Sequence, residues 1–295
     1  MLQRVRGLYL LPVMTLALLV VSLLQPMSAG ATSLGKIHLF KTKLQASPNA
    51  GAGNLQYHGG PVMGGTARAY AIFWEPTGSH VSSTYNSLIL RYFGDVGGSS
   101  LYHNNTQYKD SSGTYPSNAV LGGSWVDTAA YPSRTLSDAQ VQSEVTHAKQ
   151  VKGWTSNIDN IFFVFTAKGE NICSGSSCSF TNFCAYHGSF GSNTQYAAMP
   201  YTGTNLSACG VSTSPNHDFD ADSTINVTSH EQIEGATDPH LNAWYDVVGY
   251  EIGDKCAWQF GATNSQGGDV VWNGHAYEVQ KEWDNARRGC VLSGP

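Results

Sequence analysis

The chain has 295 residues, 41% of them hydrophobic and only 13% charged, with a net charge of −5. That length carries one large domain or two small ones, with ample apolar material for a core. The small negative charge and the lack of any lysine- or arginine-rich block argue against nucleic acid and anionic membranes as partners.

Residues 1–31 read as a secretory signal peptide: Arg4 and Arg6, an apolar run from Leu8 to Leu24, then Ser28-Ala29-Gly30-Ala31. An uncleaved anchor helix is the alternative reading. No later stretch is apolar enough to span a bilayer. The expectation is therefore a secreted, extracellular protein with no stable membrane insertion after signal cleavage.

Residues 32–56 show no sustained periodicity and predict a flexible leader, followed by one globular domain over 57–295. Arg68–Trp74 predicts a strand, and Ser82–Phe93 has helical spacing. Gly97–Gly123 is rich in Gly, Ser and Asn and suggests irregular structure or short strands. Ser137, with Gln140 three residues on, predicts a capped helix stopped at Gly153. Asn160–Thr166 is apolar on both faces, as a central strand should be. Residues 168–194 look like a cysteine-rich excursion, and Tyr196–Tyr201 predicts another strand. A helix is expected from Ser223 to about Ala236, and a hairpin turning at Asn273-Gly274.

All six cysteines lie in the exported part: Cys173, Cys178, Cys184, Cys209, Cys256 and Cys290. An even count behind a signal peptide predicts three disulfides. Local order gives Cys173–Cys178, Cys184–Cys209 and Cys256–Cys290.

The 223–236 helix carries His230-Glu231-Gln232-Ile233-Glu234. Residues i and i+4 share a helix face, so His230 and Glu234 can hold one ion, with Glu231 beside it as a general base. This is the logic of the H-E-x-x-H zinc helix with glutamate in the second position. The bland alternative is a solvated polar face. Fold class follows as α/β (α+β): a single zincin-like domain with a mixed sheet, an active-site helix and disulfide-stapled loops.

His230-Glu231, Glu234, Asp238-Pro239, Asn242–Tyr245, Glu251–Asp254 and Cys256 together resemble the secreted phosphate-induced/exordium family and its bacterial relatives. Tyr57–Pro61 and Val279–Trp283 fit the same pattern, so the resemblance covers most of 57–295. It implies an extracellular protein linked in plants to growth, and by itself no enzymatic activity. Four residues compete as the third ligand. Glu251 and Asp254 belong to the family's Glu-Ile-Gly-Asp block and rank first. His240 has the spacing of the third metzincin histidine, but Thr237 replaces that pattern's glycine. Asp238 ranks last, with a helix-end role. Zinc is the expected ion, with calcium or manganese as alternatives for so acidic a set. Tyr245 or His187 would stabilise an oxyanion.

The leading expectation is a zinc peptidase-like hydrolase acting on an extracellular peptide or cell-wall substrate. The alternative is a non-catalytic cell-wall or glycan-binding protein with a structural metal site. No G-x-S-x-G elbow supports a serine hydrolase, whereas a glycosidase needs only two carboxylates.

Overall fold

Side chains that alternate in the strands set up two apolar faces on one sheet. In the computed structural model, which describes residues 36–47 and 53–295, six strands form this sheet. They are β1 (Ile37–Lys41), β2 (Gly65–Trp74), β3 (Pro116–Asp127), β4 (Asn160–Thr166), β5 (Phe183–Phe190) and β6 (Thr194–Met199). Their spatial order is β1-β5-β6-β4-β2-β3. The pairings β6/β4, β4/β2 and β2/β3 are parallel, while β1/β5 and β5/β6 are antiparallel. The sheet is therefore mixed.

Ile161, Phe163 and Phe165 of β4 pack with Ala71 and Phe73 of β2 beneath two helices, α1 (Tyr85–Asp95) and α3 (Phe219–Thr237). Phe162 and Val164, with Ile72 and Trp74, face the other way onto Val141, Val145 and Ala148 of α2 (Asp138–Lys152). The result is a mixed α+β fold with helices on both sheet faces. Ser137 and Gln140 form the expected capping box of α2, and Gly153 ends it in the left-handed region. The hairpin turns at Asn273-Gly274, both with positive φ. All three disulfides have the expected pairing.

Four expectations need correction. The leader is not featureless: within its described part, Ile37–Lys41 is an edge strand paired to β5. Gly97–Gly123 leads into β3, a 12-residue strand, because parallel pairing to β2 supplies what its composition lacks. Gly122 is needed there, since a Cβ would stand 2.7 Å from the Tyr70 ring. The cysteine-rich excursion delivers β5 to the centre of the site. Finally, α3 starts four residues early, capped by Asp218, whose side chain accepts from the Ala221 N–H at 3.1 Å. Residues 1–31, where the signal peptide is expected, lie outside the described residues. No helix among the described residues is long and apolar enough to cross a membrane.

Candidate metal centre

Every residue of α3 from Ala221 to Thr237 is buried, so the solvated-face alternative fails. The helix is polar yet interior, and tertiary partners compensate. Tyr92 donates to Gln232 Oε1 at 2.9 Å, the Gln280 N–H donates to Asn226 Oδ1 at 2.8 Å, and Thr228 bonds back to the Thr224 carbonyl. His230, Glu231 and Glu234 are completely buried.

The sheet brings two histidines to this helix. His38 of β1 is the register partner of His187 of β5, so both point from the same sheet face. Phe40, two residues on from His38, stacks on the His230 ring with centroids 3.8 Å apart. From the other side comes the Glu251–Asp254 turn. Its Gly253 and Asp254 N–H groups donate to Glu234 Oε1 at 3.2 and 3.0 Å. Only glycine fits at 253, because a Cβ there would lie 2.5 Å from His230 Nδ1.

With Oε1 held by the backbone, Glu234 Oε2 points inward, 3.0 Å from His230 Nε2 and 3.6 Å from His187 Nε2. His187 Nε2 is also 3.4 Å from Glu251 Oε2. None of these four atoms makes a hydrogen bond of acceptable geometry. His38 sits behind them, Nδ1 at 3.3 Å from Glu251 Oε1 and Nε2 at 2.5 Å from Asp254 Oδ2. Both oxygens of Glu231, and both of Glu282, are likewise buried without partners.

Burial raises the carboxyls of Glu231 and Glu251 well above the usual range, against the pull of His187 and His38 respectively. Burial pushes Glu234 the same way, but His230, His187 and His38 together hold it well below the normal value. Burial also raises Glu282, reinforced by Glu234. For His38, neighbouring Glu251 and Asp254 outweigh a desolvation that would lower it, and the ring is held protonated. The ion pairs of Lys168, Lys255 and Arg287 go to Asp220, Asp246 and Asp284, none of them in this cluster.

Donor atoms about 2.0–2.1 Å from a tetrahedral zinc stand roughly 3.3 Å apart. The His230–Glu234, Glu234–His187 and His187–Glu251 separations of 3.0–3.6 Å match that spacing link by link. The sets whose donor atoms all lie within 4.8 Å of one another are His187, Glu231 and Glu234, and His38, Glu234 and Asp254. The orphaned atoms and surplus acid ask for a cation. One condition attaches to His230. Gln280 gives one N–H to the Gly253 carbonyl and points the other at His230 Nδ1, both at 3.0 Å, while its Oε1 accepts from the Trp258 N–H at 3.3 Å. A neutral ring accepting at Nδ1 carries its proton on Nε2. A metal on Nε2 therefore requires that proton to move and the Gln280 amide to turn over. That turn gives up the Gln280 bonds to the Gly253 carbonyl and from the Trp258 N–H; with it, His230 and Glu234 can hold the ion.

Of the residues singled out from sequence, His230, Glu231, Glu234, Glu251 and Asp254 come together. Asp254 serves through His38 and through the Glu251 N–H, which it accepts at 3.3 Å. His240 does not join them. Asp238 Oδ1 accepts the N–H groups of Asn242 and Ala243 at 2.6 and 2.7 Å, closing the turn so that His240 faces Gln195 instead, Nε2 at 2.9 Å from its amide. Asp238 thus has the helix-end role. Tyr245 stands at the mouth of a 170 Å³ pocket with His38, Asp238, Leu241, Gly249 and Glu251, its ring stacked on His58 at 3.6 Å. His187 stands inside the cluster, between Glu234 and Glu251. The residues missed entirely are His38, Gln280 and Glu282. For His38 the alternation with Phe40 marks a shared strand face, but only the pairing with β5 brings it to the cluster.

No protein-family profile, curated protein or solved structure matches this chain.

Proposed function

We propose that the chain is a secreted metal-dependent hydrolase of the zinc peptidase type, in keeping with its resemblance to the exported phosphate-induced/exordium family. The observation that carries the hydrolase reading is the run of unpartnered buried atoms from His230 to Glu234, His187 and Glu251, at steps of 3.0–3.6 Å, with Glu251 lining an open pocket. Zinc held there would supply a bound water of lowered pKa and a Lewis acid for a carbonyl oxygen.

The chain's own residues do the rest. Glu231, with neither oxygen engaged, is the group free to accept and return a proton at the edge of the cluster. His38 fixes Glu251 and Asp254, and the paired backbone N–H groups of Gly253 and Asp254 fix Glu234. Tyr245 lies where a substrate carbonyl would enter. A 460 Å³ groove lined by Ile37, Leu39, Lys41, Val248 and Tyr250 runs along β1. As an edge strand, β1 offers an extended peptide unpaired backbone groups. Export is supported by the signal-like N-terminus and by three disulfides.

A second reading, a non-catalytic extracellular protein binding cell wall or glycan, is favoured by the Gln280 N–H aimed at His230 Nδ1. In that reading the cluster is a structural metal site or the relic of one. Metal analysis of the mature protein separates the two, with peptide hydrolysis by wild type and Glu231→Gln measured in parallel. The hydrolase reading expects both proteins to hold one equivalent of zinc more than a Glu234→Gln variant does, and a loss of activity of at least 100-fold in Glu231→Gln. Wild type that takes up no more zinc on dialysis than Glu234→Gln removes it.

A further inference from the structure

A second constellation lies on the opposite face of the sheet, where α2 meets the outer strand β3. Glu144 and His147 are three residues apart on α2 and so share one face of it. Asp127 is the last residue of β3. The Asp127 Oδ1 atom is engaged by the Ala129 N–H at 2.8 Å, while Oδ2 has no partner and lies 3.4 Å from His147 Nδ1. Glu144 Oε2 is 3.6 Å from the same nitrogen, and Glu144 Oε1 has no partner either. One donor atom from each of the three residues lies within 4.8 Å of the others.

Burial makes this more than an acidic surface cluster. Asp127 is 6% exposed and Glu144 4%, and both turn an unpartnered oxygen inward. Two carboxyls this deeply buried need a positive partner or a retained proton. Burial first and Asp127 next raise the Glu144 carboxyl to about 8, and no lysine or arginine is paired with either among the described residues. The His147 side chain is 48% exposed and gives an ion its path in from solvent. Its ring is braced edge-on against Trp125, centroids 5.3 Å apart, two residues before Asp127 on the same side of β3.

We propose that Asp127, Glu144 and His147 form a second divalent-cation site that clasps α2 to the edge strand β3. One imidazole nitrogen and two carboxylates suit a first-row transition ion, zinc or manganese, better than calcium, which takes oxygen ligands alone. Three protein donors beside open solvent leave coordination positions for water. The proposal does not depend on the hydrolase reading, because no residue is shared between the two clusters.

The test is zinc binding to the mature full-length protein by equilibrium dialysis with metal analysis, in a Glu234→Gln background that disables the first site. His147→Ala and Asp127→Asn are made in that background, with circular dichroism to check folding. His147 is half exposed, so its replacement should leave the fold intact. The expected result is one equivalent of zinc in the background protein, bound at least tenfold more weakly in either variant. The background protein should also melt at a higher temperature with zinc than without it, and the His147→Ala protein should not. Zinc uptake that is absent from the background protein, or unchanged in folded His147→Ala, overturns the site and leaves a histidine ring packed between two carboxyl groups.

Discussion

Helices α2 and α3 are both rich in polar residues, and in both a histidine stands near a glutamate, yet they are held in place in different ways. α2 buries Val141, Val145 and Ala148 against the sheet and turns most of its polar side chains to water. α3 has no solvent face, and its threonines, Asn226, Gln232, His230 and Glu234 are all interior. A helix of the first kind is stabilised by an apolar stripe and good caps. One of the second kind depends on finding a specific partner for nearly every polar group, because each unmet group carries a desolvation cost. α3 meets that demand at Gln232 and Asn226 and leaves it open at His230, Glu231 and Glu234. The open part is where the proposed chemistry lies.

The sharpest way to break this contrast is to remove one polar group from each helix. Glu234→Ala strips the acceptor from the Gly253 and Asp254 N–H groups and the counter-charge from His230 and His187. Metal-free protein should lose about 3–5 kcal/mol of stability in urea denaturation, the range for breaking a buried ion pair by deleting one partner. Gln150→Ala, on the exposed side of α2, should change it by less than about 0.5 kcal/mol. Comparable losses in the two variants would mean that α3's polar groups are not tertiary-locked.

Gly253→Ala probes the same lock without removing any polar atom. Its Cβ would press on His230 Nδ1 at 2.5 Å and on Glu234 Oε1 at 3.0 Å. Overpacking of this kind typically costs about 1–3 kcal/mol, and here it would also spread the two donors apart. The expected outcome is a moderate fall in the denaturation midpoint together with lost zinc binding. A variant as stable and as zinc-competent as wild type would show that the turn has room to yield.

How much of this was legible beforehand follows the same division. Local rules sufficed for α2, from its capping box at Ser137 to its stop at Gly153, and for the unbroken apolar run of β4. The His230/Glu234 pair was legible because i, i+4 geometry is local too. His38 and His187 meet only through the β1/β5 register, which no local pattern encodes, and β3 is held by pairing rather than propensity. His240 shows the converse error. Ten-residue spacing is a ligand signal only if the turn sends the side chain back, and Asp238 closes this turn in another geometry.

A pH dependence is expected on the α2 side. Glu170, just before the strand pair that leads into α2, is 8% exposed with Oε1 unpartnered. Burial lifts its carboxyl to about 7, against an opposing hydrogen bond from the Leu136 backbone. In the unfolded chain a glutamate titrates near 4.3, so the folded state holds this proton more tightly. Its contribution to stability is therefore complete below the unfolded value and is lost as pH rises through about 7. Urea midpoints measured from pH 4 to 8 in chelator should decline more steeply for wild type than for Glu170→Gln, in which the position stays neutral throughout. Other titrating groups contribute equally to both curves, so their difference isolates Glu170. Parallel curves would mean that the carboxyl finds a partner or solvent in the folded protein, and that even the helix with a wet face satisfies its rim.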